Sequence, residues 1–108
     1  MSVVSPIIRI DEIQRVEDYW WLRTDIYFIC IYNPVFFEDS SGNQTELSAA
    51  IAESIKGIVA QVSIGTEWVV FLLEDGCKLK VSIKDEDYVG PEAMQFAPHD
   101  NDASYVII

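Results

Sequence analysis

Residues 67–83, EWVVFLLEDGCKLKVSI, hold two β-forming runs separated by Asp75-Gly76. This dipeptide supplies the positive φ angles of a two-residue type I′ turn, whose twist matches the strands it joins. A turn centred there sets the register: Glu74 faces Cys77, Leu72 faces Leu79, Val70 faces Val81 and Trp68 faces Ile83. The last three pairs make one apolar face, and the other face pairs Leu73 with Lys78, Phe71 with Lys80 and Val69 with Ser82. The first run is apolar on both sides and the second alternates, so the first is expected inside a sheet and the second nearer an edge.

The rest of the chain reads mainly as further strands. Residues 6–10 suit a short edge strand. Tyr19, Trp20, Trp21 and Leu22 precede a turn at Thr24-Asp25, and residues 26–32 form an unbroken β run. Ile26, Phe28, Cys30 and Tyr32 fall on one face of that run and Tyr27, Ile29 and Ile31 on the other, which predicts a central strand ended by Pro34. Val35-Phe36-Phe37 reads as an apolar coda before a loop over 38–44. A short helix is predicted near 46–56, with Thr45 as its N-cap, Gly57 as its C-terminal cap and Leu47, Ile51 and Ile55 as its apolar stripe.

A weak internal repeat sets IQRV at 13–16, followed by Trp20-Trp21, a turn and a β run, against VAQV at 59–62, followed by Trp68, a turn and a β run. Each half reads as a three-stranded meander. The fold class indicated is therefore α+β and mostly antiparallel, with about six strands in two related meanders forming a sheet or flattened barrel beside one short helix. At 108 residues, half of them hydrophobic, the chain is expected to be a single domain spanning 1–108.

Charge narrows the partners. Seven lysines and arginines stand against eighteen acids, a formal net charge of −11. Such a field repels phosphate backbones and anionic lipid, so neither nucleic acid nor membrane is expected as a partner. The opening residues lack the basic start of a secretory leader, and a cytoplasmic location is expected, with Cys30 and Cys77 reduced.

The run DGCKLKVSIKDEDYVGPEA resembles a pattern in small bacterial proteins, in which a DG-x-x-L-x-V-S-L hairpin leads into D-Y-x-G-P-E-A. The matching residues are Asp75, Gly76, Leu79, Val81, Ser82, Ile83, Asp87, Tyr88, Gly90, Pro91, Glu92 and Ala93, and the stretch Ile31-Tyr32-Asn33-Pro34 also looks like a feature of that group. Some proteins of this build resemble the immunity partners found beside bacterial toxins. The resemblance implies an interaction protein and carries no assigned chemistry.

No catalytic constellation emerges. His99 is the only histidine, and the Pro-Asp-Asn-Asp setting around it favours a solvated loop residue over a catalytic base. The acidic groups at 85–87 and 100–102 lack calcium-loop spacing, and neither a zinc pattern nor a phosphate-binding glycine loop is present. No enzyme activity, metal or cofactor is implied. Two features point to association. From Asp85 onward stand Asp85, Glu86, Asp87, Glu92, Asp100 and Asp102 with no lysine or arginine, and consecutive tryptophans in a regular strand must send either Trp20 or Trp21 away from the core. These eight residues are the candidate partner-binding set of a non-catalytic protein-interaction domain. A basic toxin domain is the expected partner, and an immunity protein is the concrete form of the reading. A self-associating homodimer and a small-ligand-binding domain are the alternatives.

Overall fold

The computed structural model describes residues 2–4, 8–98 and 106–108. Among these residues the strands are β1 (Ser2–Val4), β2 (Ile8–Val16), β3 (Tyr19–Thr24), β4 (Tyr27–Ile31), β5 (Val35–Glu38), β6 (Gln44–Glu46), β7 (Gly57–Ile64), β8 (Trp68–Leu73), β9 (Lys78–Ser82), β10 (Met94–Pro98) and β11 (Val106–Ile107). One helix, α1 (Ala49–Ser54), lies between β6 and β7. The strands form one antiparallel sheet in the order β11-β10-β4-β3-β2-β7-β8-β9-β5-β6, with β1 pairing β7. The α+β, mostly antiparallel class is as the sequence indicates, but the described strands number eleven rather than about six.

Six of them are the two meanders. β2-β3-β4 and β7-β8-β9 are each joined strand to strand, and β2 pairs with β7 between them. Each meander carries one register shift in its first strand, at Asp11 and at Ala60, and the buried Ile13 and Val62 each follow two residues later. Such bulges bend a strand and sharpen its twist. The additional strands come from segments too short to show a period. One is the coda at Val35, which pairs with β9 as well as β6. Ile8 to Ile10 also departs from expectation: it pairs with both β7 and β3 and so is no edge.

The hairpin register is one residue away from the expected one. Trp68 faces Ser82, Val70 faces Lys80 and Leu72 faces Lys78, while Val69 faces Val81 and Phe71 faces Leu79. The loop has three residues, 74–76, closed by bonds from the Leu73 amide to the Cys77 carbonyl and from the Gly76 amide to the Leu73 carbonyl, with Gly76 at φ +90°. A single positive-φ glycine ending a three-residue loop replaces the two-residue turn. A slip of one residue exchanges faces. Val69, Phe71 and Leu73 therefore join Leu79 and Val81 in the core, and Trp68, Val70 and Leu72 face outward.

The helix is shorter than predicted. Its N-cap is Ser48, whose hydroxyl accepts from the Ile51 amide, and its C-cap is Ile55 in an extended conformation. Thr45 instead pairs with Phe37 in β6, and Gly57 opens β7. Leu47, Ala52 and Ile55 seat this end of the chain on the core, with Ile51 half-buried.

The sheet is rolled on itself. Six strand spacings separate β4 from β5 in the sheet order, which is about 29 Å if flat. Only Tyr32, Asn33 and Pro34 connect those strands, a reach of at most about 14 Å. Phe71 of β8 and Phe96 of β10 likewise stack with ring centroids 6.1 Å apart across the interior. Rolling brings the apolar inner sides of all these strands together, with Ile8, Ile29, Val59, Val69, Val81 and Met94 fully buried. Two connections, 32–34 and 83–93, then run side by side across the seam of the roll. The amides of Tyr32 and Asn33 both donate to the Ala93 carbonyl, at 2.8 and 3.2 Å.

Candidate protein-interaction surface

At the seam the buried Asn33 side chain ties the 32–34 crossing to the end of β9. Its Nδ2 donates to the Ser82 carbonyl at 2.8 Å, and the Ser82 amide donates to the Pro34 carbonyl at 3.0 Å. A carbonyl can only accept, so the donor arm of the amide must face Ser82. Oδ1 then points the other way, buried and without a hydrogen-bond partner. The Ser82 hydroxyl, also buried, donates to Asp87 Oδ2 and so anchors the single 3₁₀ turn Asp85–Asp87.

Strand alternation decides the tryptophans. Trp20 points inward and is 5% exposed, closing one mouth of the roll, with the Arg15 guanidinium 5.3 Å from its ring centroid. Trp21 points outward and stacks on Phe28, which is 36% exposed, at a centroid distance of 5.5 Å. Farther along the same outer face Tyr19 packs against Tyr32 at 5.7 Å. Cys30, directly opposite Trp21, lies between the two aromatic pairs. Burial holds the Cys30 thiol above its ordinary pKa, against a lowering hydrogen bond with Tyr32. The Tyr32 phenol is also raised, first by desolvation and then by the neighbouring Cys30 and Glu92. Both groups are protonated at neutral pH, so this face is uncharged along its centre.

The crossing 83–93 borders that face. Tyr32, Val89, Gly90, Pro91 and Glu92 line a hollow of about 300 Å³. Val89 is 73% exposed, more than any other large hydrophobic side chain among the described residues. On the other side of Tyr32 and Val89 a crevice of about 180 Å³ opens at the mouth, where Trp20 and Asn33 also meet it.

The predicted set therefore divides. Trp21 and Glu92 lie along the aromatic face and its border, and Trp20 lies beneath the mouth. Asp85 and Glu86 are exposed on the turn that begins the 83–93 crossing, outside both hollows, whereas Asp87 is committed to Ser82. Asp100 and Asp102, like His99, lie outside the described residues. The set omitted Tyr19, Phe28, Tyr32 and Val89. The alternation at 26–32 had already placed Phe28 and Tyr32 on one face; Val89 carried no signal, because nothing in its local sequence fixes its exposure.

A second outward cluster belongs to β8 and β9. The Lys80 and Lys84 ammonium groups lie 4.6 and 4.7 Å from the Trp68 ring centroid, and Phe36 meets that ring edge-on at 5.6 Å. Glu38 sits 3.5 Å from Lys78 and 3.7 Å from Lys80, so one carboxylate offsets part of this positive charge.

Comparison with known protein families, curated proteins and solved structures finds no match.

Proposed function

We propose that this chain is a non-catalytic protein-binding domain that engages a basic partner through the outer face of β3 and β4 and the adjoining 85–93 crossing. A toxin-neutralising immunity protein is the particular form of this reading. The observation that carries it is the outward stack of Trp21 on Phe28, continued by Tyr19 on Tyr32, in a chain of net charge −11. Aromatic side chains are the usual anchors of protein interfaces, because they bury much apolar area at little rotamer cost. Glu92, whose charge bears on the Tyr32 phenol, and the exposed Asp85 and Glu86 of the same crossing supply the field that steers a basic surface toward the anchor, raising the association rate at low salt.

The test is capture from source-cell lysate on the immobilised full chain, run in parallel with Trp21→Ala and with Asp85→Lys/Glu86→Lys. A basic protein retained by the wild type, lost from the Trp21 variant and more weakly held by the charge-reversed one is the expected result. Identical retention on all three would remove this surface from consideration.

A further inference from the structure

The crevice at the mouth of the roll has a chemistry of its own. Its lining includes Trp20, Tyr32, Asp18, Glu46, Arg15 and Asn33, beside apolar residues. No ion pair joins Asp18 or Glu46 to any described residue. Arg15 bonds through Nε to the Glu17 carbonyl at 3.3 Å and lies over the Trp20 ring, so its charge is held on an indole rather than on either acid. Asn33, 2% exposed, also borders it, with its Oδ1 enclosed and without a donor.

These groups select by elimination. An anion would meet two carboxylates against one guanidinium, and an apolar group would strip water from the acids without pairing either of them. A cation bearing several N–H donors satisfies the carboxylates and meets the aromatic walls favourably. Arg15 on Trp20 shows the same chemistry already present within the chain.

We propose that this crevice receives the cationic end of an arginine or lysine side chain projecting from the protein partner. The inference rests on the basic-partner reading above and deepens it: the outer aromatic face supplies the anchor area, and the crevice, sharing Tyr32 and Val89 with that face's border, supplies a socket for one charged side chain.

The probe is acetyl-arginine amide, titrated at low salt into the ¹⁵N-labelled full chain, with acetyl-citrulline amide as the uncharged shape control. A small ligand held by a few contacts binds at roughly millimolar concentration. The expected result is saturable shifts of the Trp20 indole N–H and the Asn33 side-chain amide. Citrulline amide should bind at least tenfold more weakly, and the Asp18→Asn/Glu46→Gln variant should lose affinity by a similar factor while keeping its dispersed spectrum. Equal binding of citrulline amide, full binding to the double variant, or arginine-induced shifts that bypass Trp20 would each overturn the proposal. If capture of a basic protein still depends on Trp21 in that case, the crevice alone is refuted. If the crevice binds arginine amide but capture ignores Trp21, the outer-face reading falls instead.

Discussion

Phe71 and Phe96 sit on strands that would be about 24 Å apart in a flat sheet, yet their rings stack at 6.1 Å with only 4° between planes. Their energetic coupling therefore tests the rolled architecture on which the seam and its surface depend. Both are buried, at 1% and 8% exposure, and truncation of either to alanine would cost about 3–5 kcal/mol, a large part of the roughly 5–15 kcal/mol that stabilises a domain. Leucine is the better probe. Phe71→Leu and Phe96→Leu preserve most of the volume and should each cost less than about 1.5 kcal/mol. An aromatic pair contributes about 0.5–1.5 kcal/mol beyond its buried area, so the double variant should lose less than the sum of the singles by that amount. Urea unfolding with m near 1–3 kcal/mol/M turns a coupling of about 1 kcal/mol into a midpoint difference of roughly 0.5 M. Additivity within about 0.3–0.5 kcal/mol, the behaviour of distant sites, would refute the contact and with it the rolling.

Trp20→Ala should destabilise by about 3–5 kcal/mol in thermal or urea unfolding, whereas Trp21→Ala, on the outer face, should cost less than half as much and act mainly on partner dissociation; equal losses would contradict the alternation of β3. Asn33→Asp puts a carboxylate against the Ser82 carbonyl, and burial raises its pKa above that of the unfolded chain. The stability of that variant should be highest in acid and fall as pH rises through the folded pKa, while the wild type lacks this contribution; coincident pH profiles in urea unfolding would show that the contact is absent. Tyr32 and Cys30 both have folded pKa values above their ordinary ones, so their contribution is fully present below the unfolded pKa values and is lost as pH rises through the folded ones. Alkaline unfolding followed from pH 8 upward should therefore begin earlier in the wild type than in Tyr32→Phe/Cys30→Ala, and unchanged onset would argue against the desolvation at this face.

The sequence was most informative where alternation had only one solution. Residues 26–32 must put Ile29 and Ile31 inside if Phe28, Cys30 and Tyr32 are outside, and the sheet obeys. It was least informative where both faces were apolar. In residues 68–73 either parity is equally hydrophobic, so the register depended entirely on loop length, and Gly76 alone at positive φ shifts the core from Trp68, Val70 and Leu72 to Val69, Phe71 and Leu73. The helix start failed for a related reason: Thr45 and Ser48 are both good caps, and pairing of Thr45 with Phe37 leaves the role to Ser48. The repeat was visible as pattern but misaligned, because the bulges at Asp11 and Ala60 match Ile13 with Val62 rather than with Val59.

The candidate surface was only half legible for a topological reason. Strand geometry alone required one of Trp20 and Trp21 to point outward, but the meeting of Tyr32 with Glu92 and Val89 depends on how residues 32–34 and 83–93 cross the seam. Neither crossing has a periodic signature; each is held by bonds distant in sequence, such as Asn33 to Ser82 and Tyr32 to Ala93. The same bonds explain why the site lies at that end of the roll. Where two connections pass across a seam, strand pairing stops, and side chains from both connections and from the strand ends are left around the mouth. Here those side chains include Tyr32, Val89 and Glu92 on one side of the crossing and Trp20, Asp18 and Glu46 on the other. An aromatic face on the sheet thus ends beside acidic groups carried by the strand ends and the connections.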